Sequence, residues 1–259
     1  STLFLLTLGL LLSASAFTDS TITLTEQNHV LFSGEVTDES VAQAQIQLSR
    51  ISAKLSRSAT IFLVIDSPGG SVPAGNRFID FANSLPQTIK PLCLFCASMG
   101  YHMFQSFGER LVFNSSVLMS HRVSIGGLSG QVPGEAVTRL NEIIATSNRM
   151  DEVVAKRVGI SVASYQSLIY NELWLSGYDA VATKHADKVA KIKCDEALSS
   201  GTRQEKVNTI FGPVDVTYSK CPLISGFLEL KPGTESKFRS WSEAADMIRK
   251  AKRSVRIQY

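Results

Sequence analysis

Short apolar runs alternate with stretches of helical periodicity through the middle of the chain. The runs occupy residues 61–65, 91–96 and 111–119, and turn-forming residues follow the first two. Such runs are typical of strands buried on both faces of a sheet. Between the first two runs, from Gly70 to Pro86, apolar residues recur at helical spacing. Strand, helix and strand in this order predict a βαβ unit of a mainly parallel sheet.

Further elements are predicted on both sides of this unit. Residues 21–24 and 29–34 alternate as in a short hairpin or a pair of edge strands. Thr37 is the predicted N-cap of the next helix, because acidic residues and then apolar positions at helical spacing follow it. The third apolar run is interrupted by Asn-Ser-Ser at 114–116, which predicts a turn between two short strands. Residues 134–158 predict a long helix that follows a glycine-rich loop.

The C-terminal part of the chain has a pattern of its own. Residues 207–210 and 214–218, on either side of Gly212 and Pro213, predict a second hairpin. Residues 240–256 predict a basic amphipathic helix. Its charges suit a solvated or partner-facing surface, or contact with an anionic membrane surface.

The composition is that of a globular protein. Of the 259 residues, 44% are hydrophobic and 19% are charged, which excludes a disordered chain and leaves length for one large domain and an extension. The net charge of +3 is too small to indicate a nucleic-acid partner. No Cys or His cluster has the spacing of a zinc site, and we expect neither a metal nor another cofactor.

The first residues indicate export. Residues 3–12 are almost wholly apolar but too few to span a bilayer, and the small-residue segment Ser-Ala-Ser-Ala at 13–16 follows them. This pattern predicts a secretory signal peptide cut after Ala16, and hence a periplasmic or secreted protein. The alternatives are a buried N-terminal helix and a retained anchor.

Cysteine positions are compatible with export. Cys194 and Cys221 lie on either side of a polar segment and could form a disulfide in an oxidising compartment. Cys93 and Cys96 have the spacing of a redox pair, but their hydrophobic strand favours two small buried side chains.

Polar and glycine residues follow the predicted strands at their carboxyl ends. They are the Asp-Ser-Pro-Gly-Gly-Ser segment at 66–71, Ser98 after the second run and His121 after the third. Each has an ordinary structural explanation, as a turn, a helix N-cap and a hydrogen-bonded edge residue. The carboxyl ends of parallel strands meet at one edge of a sheet, however, and sites form there.

These segments together resemble the Clp protease proteolytic subunit family, a branch of the crotonase-like superfamily. The resemblance is carried by residues 65–72, 97–100 and 118–121, followed by Gly126 and Gly127. It implies an α/β fold of mainly parallel sheets with flanking helices, here with a small C-terminal extension.

The resemblance extends from about residue 36 to about residue 189. We therefore divide the chain into a signal peptide at 1–16, a Clp-protease-like peptidase domain at 17–193 and a C-terminal extension at 194–259.

The resemblance implies amide hydrolysis through an acyl-enzyme. Ser98 would be the nucleophile, and His121 would be the base that activates it and later protonates the leaving amine. The main-chain N–H groups of Gly70 and Met99 would form the oxyanion hole.

An extended peptide could pair with the neighbouring main chain. Gly69, Ser71 and Val72 are the predicted substrate-binding residues, and strand addition is the expected mode.

The third member of the triad departs from the family pattern. The position where the family carries an aspartate is occupied here by Glu172, with Asn171 beside it, and either could orient the imidazole. A Ser-Lys dyad, as in membrane-associated relatives, is the alternative and would use Lys156 on the long helix.

The resulting hypothesis is an exported serine endopeptidase that forms a homo-oligomeric ring and cleaves peptides or unfolded proteins. The chain has no phosphate-binding loop, and ATP is scarce outside the cytoplasm, so we expect no ATPase partner. A non-catalytic assembly or scaffold protein on the same fold is the alternative of a different class.

Overall fold

The structure is a computed structural model that describes residues 21–127, 129–209, 212–232 and 246. The strands of these residues are β1 (Ile22–Leu24), β2 (His29–Ser33), β3 (Thr60–Ser67), β4 (Thr88–Ala97), β5 (Leu111–Ser120), β6 (Leu173–Ser176), β7 (Lys188–Val189), β8 (Ile192–Cys194), β9 (Thr202–Thr209), β10 (Gly212–Ser219) and β11 (Glu229–Pro232). The helices are α1 (Asp38–Ser52), α2 (Val72–Asn83), α3 (Met99–Gln105), α4 (Gly134–Val158), α5 (Val162–Leu168), α6 (Gly177–Ala182) and α7 (Glu196–Ser200).

A six-stranded sheet forms the centre of the fold. Its order is β2-β3-β4-β5-β6, with β7 also paired to β5. Strands β2 to β5 are parallel to one another, β7 is parallel to β5, and only β6 runs antiparallel. The predicted mainly parallel α/β architecture is confirmed.

Strand β3 is buried on both faces, as its apolar run predicts. Ile61, Leu63 and Ile65 pack into the main hydrophobic core, whereas Val64 packs with Leu92 into a second cluster. All five side chains are fully buried. The sheet therefore separates two apolar layers.

The two alternatives for residues 21–34 are resolved, and one other expectation about strands is wrong. Strands β1 and β2 are edge strands and not a hairpin, because β1 pairs with β8 and β2 pairs with β3. Residues 114–116 do not separate two strands either, since β5 continues through them. The Ser116 hydroxyl donates to the carbonyl of Cys93 and accepts from the amide of Phe113, which satisfies the polar groups at this irregular point.

The expectation for Cys93 and Cys96 is half right. Both are fully buried, but the structure joins them in a disulfide. The register of β4 against β5 shifts between Cys93 and Phe95. This bulge places two residues three positions apart on the same face of the strand, where an unbroken strand would point them to opposite faces.

A disulfide within the C-terminal extension joins the end of β8 to the segment that follows β10. Cys194, at the end of β8, is bonded to Cys221, with their Cα atoms 5.8 Å apart. Between them β9 and β10 form the predicted antiparallel hairpin, and β11 adds a third strand.

Two sequence predictions concern residues outside the described part of the chain: the signal peptide at 1–16, and the basic helix at 240–256, of which only Asp246 is described. Among the helices that the structure describes, none is long and apolar enough to cross a membrane.

Candidate active site

Ser98 sits at the junction of β4 and α3 in a strained conformation. Its φ of 53° and ψ of −121° lie in a region that residues with a Cβ rarely adopt, at a cost of about 1–3 kcal/mol. Two hydrogen bonds hold it there: its amide donates to the Met119 carbonyl at 2.9 Å, and its carbonyl accepts from the His102 amide at 3.1 Å. The hydroxyl makes no cap hydrogen bond to α3 and is free for another partner.

That partner is His121. The Nε2 atom of its imidazole lies 2.8 Å from Ser98 Oγ. The two residues follow the neighbouring parallel strands β4 and β5, so their proximity results from the sheet topology. Burial lowers the pKa of His121, and the negative charge of Glu172 opposes this only in part. The imidazole is therefore neutral near pH 7, the form that can accept a proton from serine.

The main chain at Gly69 and Gly70 lies directly against Ser98. A Cβ on Gly69, which has a φ of +97°, would stand 2.6 Å from Ser98 Cβ and 2.8 Å from Met99 N. The carbonyl of Gly69 and the amide of Ser71 are both hydrogen-bonded to Val36. The intervening amide of Gly70 takes no part in this pairing, and Gly70 lines the same cavity as Ser98.

Two amides thus remain near the serine without a partner among the described residues. They belong to Gly70 and to Met99, the first residue of α3, whose amide has no acceptor within the helix. Both residues line the cavity that contains Ser98 and His121.

The predicted substrate-binding residues have fewer unpaired main-chain groups than pairing with a peptide would need. The polar main-chain groups of Gly69 and Ser71 that face Val36 are already occupied. Ser71 also caps α2, and Val72 is the first residue of that helix. Val72 lines the cavity, so its contribution to a binding site would come from its side chain.

Glu172 lies close enough to His121 to affect its pKa but does not bond to it. Its backbone has a φ of 68°, and its Oε2 atom accepts a hydrogen bond from Trp174 Nε1 at 2.9 Å. Within the described part of the chain, the His121 side chain bonds only to Ser98. The neighbouring Asn171 is exposed.

Lys156, the base of the alternative dyad, is exposed on α4 and is not part of the cavity lining.

The cavity beside Ser98 has a volume of about 70 Å³. Its lining includes residues that the sequence did not single out: Tyr101, His102, Ser120, Met150, Asp151 and Tyr165. The Tyr165 hydroxyl lies 2.6 Å from the hydroxyl of Ser120, the residue immediately before His121. Burial lowers the pKa of His102 to about 4. The described residues contain no cluster of side chains that could hold a metal ion.

The fold and this site define an α/β protein of mainly parallel sheet with a serine and a histidine in hydrogen-bond contact at the carboxyl ends of adjacent strands. The sequence model of the Clp protease family matches residues 13–193, and the chain belongs to that family. Clp proteases are serine-type peptidases that act on peptide substrates and form oligomeric rings.

Proposed function

We propose that this protein is an exported serine peptidase that hydrolyses peptide bonds through an acyl-enzyme on Ser98. The observation that carries the proposal is the 2.8 Å contact between Ser98 Oγ and His121 Nε2, beside the unpartnered amides of Gly70 and Met99. A nucleophile, a base and two aligned donors are the groups that acyl transfer requires.

In the first half of the reaction, Ser98 Oγ attacks the carbonyl carbon of the substrate while its proton passes to His121 Nε2. The negative charge that develops on the carbonyl oxygen accepts hydrogen bonds from the amides of Gly70 and Met99. The imidazolium then donates its proton to the leaving amine as the C–N bond breaks. Water then enters and its oxygen attacks the acyl carbon while His121 removes one of its protons. As the bond between this carbon and Ser98 Oγ breaks, His121 returns the proton to Oγ, and the product acid leaves as a carboxylate after losing its remaining proton to solvent.

The imidazolium that forms in this reaction needs a partner for its second nitrogen. We propose that Glu172 stabilises it by charge, since its carboxylate already opposes the lowering of the His121 pKa. This is a weaker arrangement than a direct carboxylate–imidazole hydrogen bond, because Glu172 is exposed and Trp174 donates to it.

Export is supported by the disulfide between Cys194 and Cys221, because such bonds persist in oxidising compartments. We propose a signal peptide that ends at Ala16 and a periplasmic or secreted mature protein. N-terminal sequencing of the protein recovered from the periplasm or the medium should then begin at Phe17. Recovery from the cytoplasm alone would contradict export.

We further propose that the protein works as a homo-oligomeric ring without an ATPase partner. ATP is scarce outside the cytoplasm, and short or unfolded peptides need no unfolding motor. Hydrolysis should proceed in buffer without ATP, and light scattering at micromolar protein should report a multiple of the monomer mass. A monomer, or strong stimulation by ATP with a co-purified ATPase, would count against this proposal.

A fluorophosphonate probe tests the central step, because it reacts with an activated serine and not with an ordinary one. We expect labelling of the folded protein, none in Ser98→Ala, and a large decrease in labelling rate in His121→Ala. Ser124→Ala is the matched control, since it removes another hydroxyl of the cavity lining, and it should leave labelling intact. An unlabelled folded wild-type protein would favour the scaffold alternative.

A further inference from the structure

The cavity beside Ser98 contains one acidic side chain that the proposed reaction does not use. Asp151 lies on the inner side of α4, between Met150 and Val154, and all three line the cavity together with Ser98. The Asp151 side chain is partly buried.

Asp151 retains unused hydrogen-bonding capacity. Its Oδ2 atom accepts a hydrogen bond from Gln166 Nε2 at 3.0 Å. Its Oδ1 atom accepts none from the residues that the structure describes, and none of their cationic groups lies within ion-pair distance of it. A carboxylate offers about four acceptor sites, so most of those on Asp151 are open to a ligand.

The groups around Asp151 leave the cavity with a negative charge. The imidazoles of His102 and His121 are neutral near pH 7 because burial lowers both of their pKa values. The cation whose charge acts on Asp151 is Arg122, which is exposed and stacks on the ring of Tyr170 with its guanidinium carbon 4.9 Å from the ring centre. Water screens the charge of such an exposed group.

Burial also makes this negative charge costly in the absence of a cation. Burial raises the pKa of the Asp151 carboxyl group. The hydrogen bond from Gln166 and the charge of Arg122 offset this rise only in part. A cation that enters the cavity would therefore remove an existing penalty as well as form a new contact.

Building on the proposed function, we propose that Asp151 is the specificity residue and selects peptides with lysine immediately before the scissile bond. With the scissile carbonyl held by Ser98 and the amides of Gly70 and Met99, the side chain of the residue that carries it would enter the part of the same cavity that Asp151 lines. Met150 and Val154 would pack against its methylene groups.

The remaining free oxygen of Asp151 favours lysine over arginine. Its Oδ2 atom already accepts a hydrogen bond from Gln166, which leaves Oδ1 for a single contact with the compact ammonium group of lysine. The planar guanidinium of arginine is broader and carries five donors in a fixed fork. Lysine is therefore the expected preference.

The test compares two fluorogenic peptides that differ only at this position, one with lysine and one with norleucine, its uncharged analogue. We expect kcat/KM to be at least about tenfold higher for the lysine peptide, as is typical for a hydrogen bond between charged groups. Asp151→Asn should bring the two values within about twofold. Glu152→Gln is the matched control, because it removes the neighbouring exposed carboxylate of α4, which lies outside the cavity lining, and it should leave the ratio unchanged.

Binding of the same two peptides to Ser98→Ala separates this inference from the proposed function. The lysine peptide should bind at least about tenfold more tightly even where nothing is cleaved, and Ser98→Ala combined with Asp151→Asn should lose the difference. Equal binding of the two peptides, binding of neither, or a ratio that survives Asp151→Asn would overturn the role of Asp151. Tight, selective binding without fluorophosphonate labelling of the wild type would refute only the hydrolase.

Discussion

Replacing Gly69 by alanine is the sharpest test of the geometry around Ser98. The new Cβ would stand 2.6 Å from Ser98 Cβ and 2.8 Å from both Ala97 O and Met99 N. Two of these three atoms belong to the main chain and cannot rotate away. The segment that contains Gly69 would therefore have to withdraw from the serine.

The size of this withdrawal follows from the contacts. Ordinary van der Waals contact begins at 3.4 Å, so the 2.6 Å approach to Ser98 requires a displacement of about 0.8 Å. The amide of Gly70 is next in the chain and would move with it. Moving a hydrogen-bond donor by this distance should slow the reaction about as much as removing the donor would, which is a loss of about 100-fold in kcat/KM.

A second glycine provides the control for backbone strain. Gly34 also has a positive φ, of +88°, but a Cβ there would meet no atom within 4 Å. Gly34→Ala and Gly69→Ala should each lose about 1–2 kcal/mol of unfolding free energy from strain alone. Only Gly69→Ala should lose activity.

The assay is kcat/KM on a fluorogenic peptide, together with urea unfolding of both variants. If Gly69→Ala kept more than a third of the wild-type activity, or if Gly34→Ala lost as much as Gly69→Ala, the assignment of this segment to the oxyanion hole would be refuted.

Three further predictions concern stability. Burial lowers the pKa values of His102 and His185 to about 4, helped at His185 by the charge of Arg110, so the unfolded chain takes up a proton at each from near pH 6.5 downward while the folded protein does not; each should lower the free energy of unfolding by about 2 kcal/mol from pH 7 to 5, and urea titrations of His102→Leu should show a decrease that is smaller by about that amount. Asp187→Asn leaves the buried Arg110 without its ion-pair partner and should cost about 2–3 kcal/mol, less than for a fully buried pair because Asp187 is partly exposed; an unchanged denaturation midpoint would show that the pair contributes nothing. Replacing both Cys194 and Cys221 by serine removes a cross-link with a sequence separation of 27 and should lower the unfolding free energy by about 3 kcal/mol, whereas equal stability of variant and wild type would argue against the pairing.

The sequence predicts the elements and the site correctly where local residue patterns and the rules of sheet topology point to the same arrangement. The long helix was predicted at residues 134–158, and α4 spans Gly134–Val158. Ser98 and His121 were predicted to follow neighbouring strands, and β4 and β5 are neighbours in parallel register. These predictions need only hydrophobic periodicity and the rule that parallel strands end at the same edge.

The sequence was insufficient where a contact joins distant parts of the chain. The alternating residues at 21–24 leave open whether they form a hairpin or an edge strand, and they give no indication that their partner is β8, about 170 positions later. The bulge in β4 has no local signature either, because no glycine or proline marks the shift beside Leu94. For that reason the disulfide between Cys93 and Cys96 could not be predicted.

The cavity residues on α4 and α5 could not be predicted from the sequence either, for the same reason. Asp151 and Tyr165 reach Ser98 only because α4 and α5 fold back over the strand ends. On the sequence, Asp151 is one of several charged positions along a long amphipathic helix. Only tertiary packing distinguishes it from its exposed neighbour Glu152.

The hydroxyl contact between Tyr165 and Ser120 joins the wall of the cavity to the end of the strand that precedes His121. Tyr165 lines the cavity, and the serine it holds is adjacent in the chain to His121. A side chain that fills the cavity would therefore touch the same phenol that anchors the end of β5. Wall and base thus share one support, because the phenol is bonded to the residue immediately before His121.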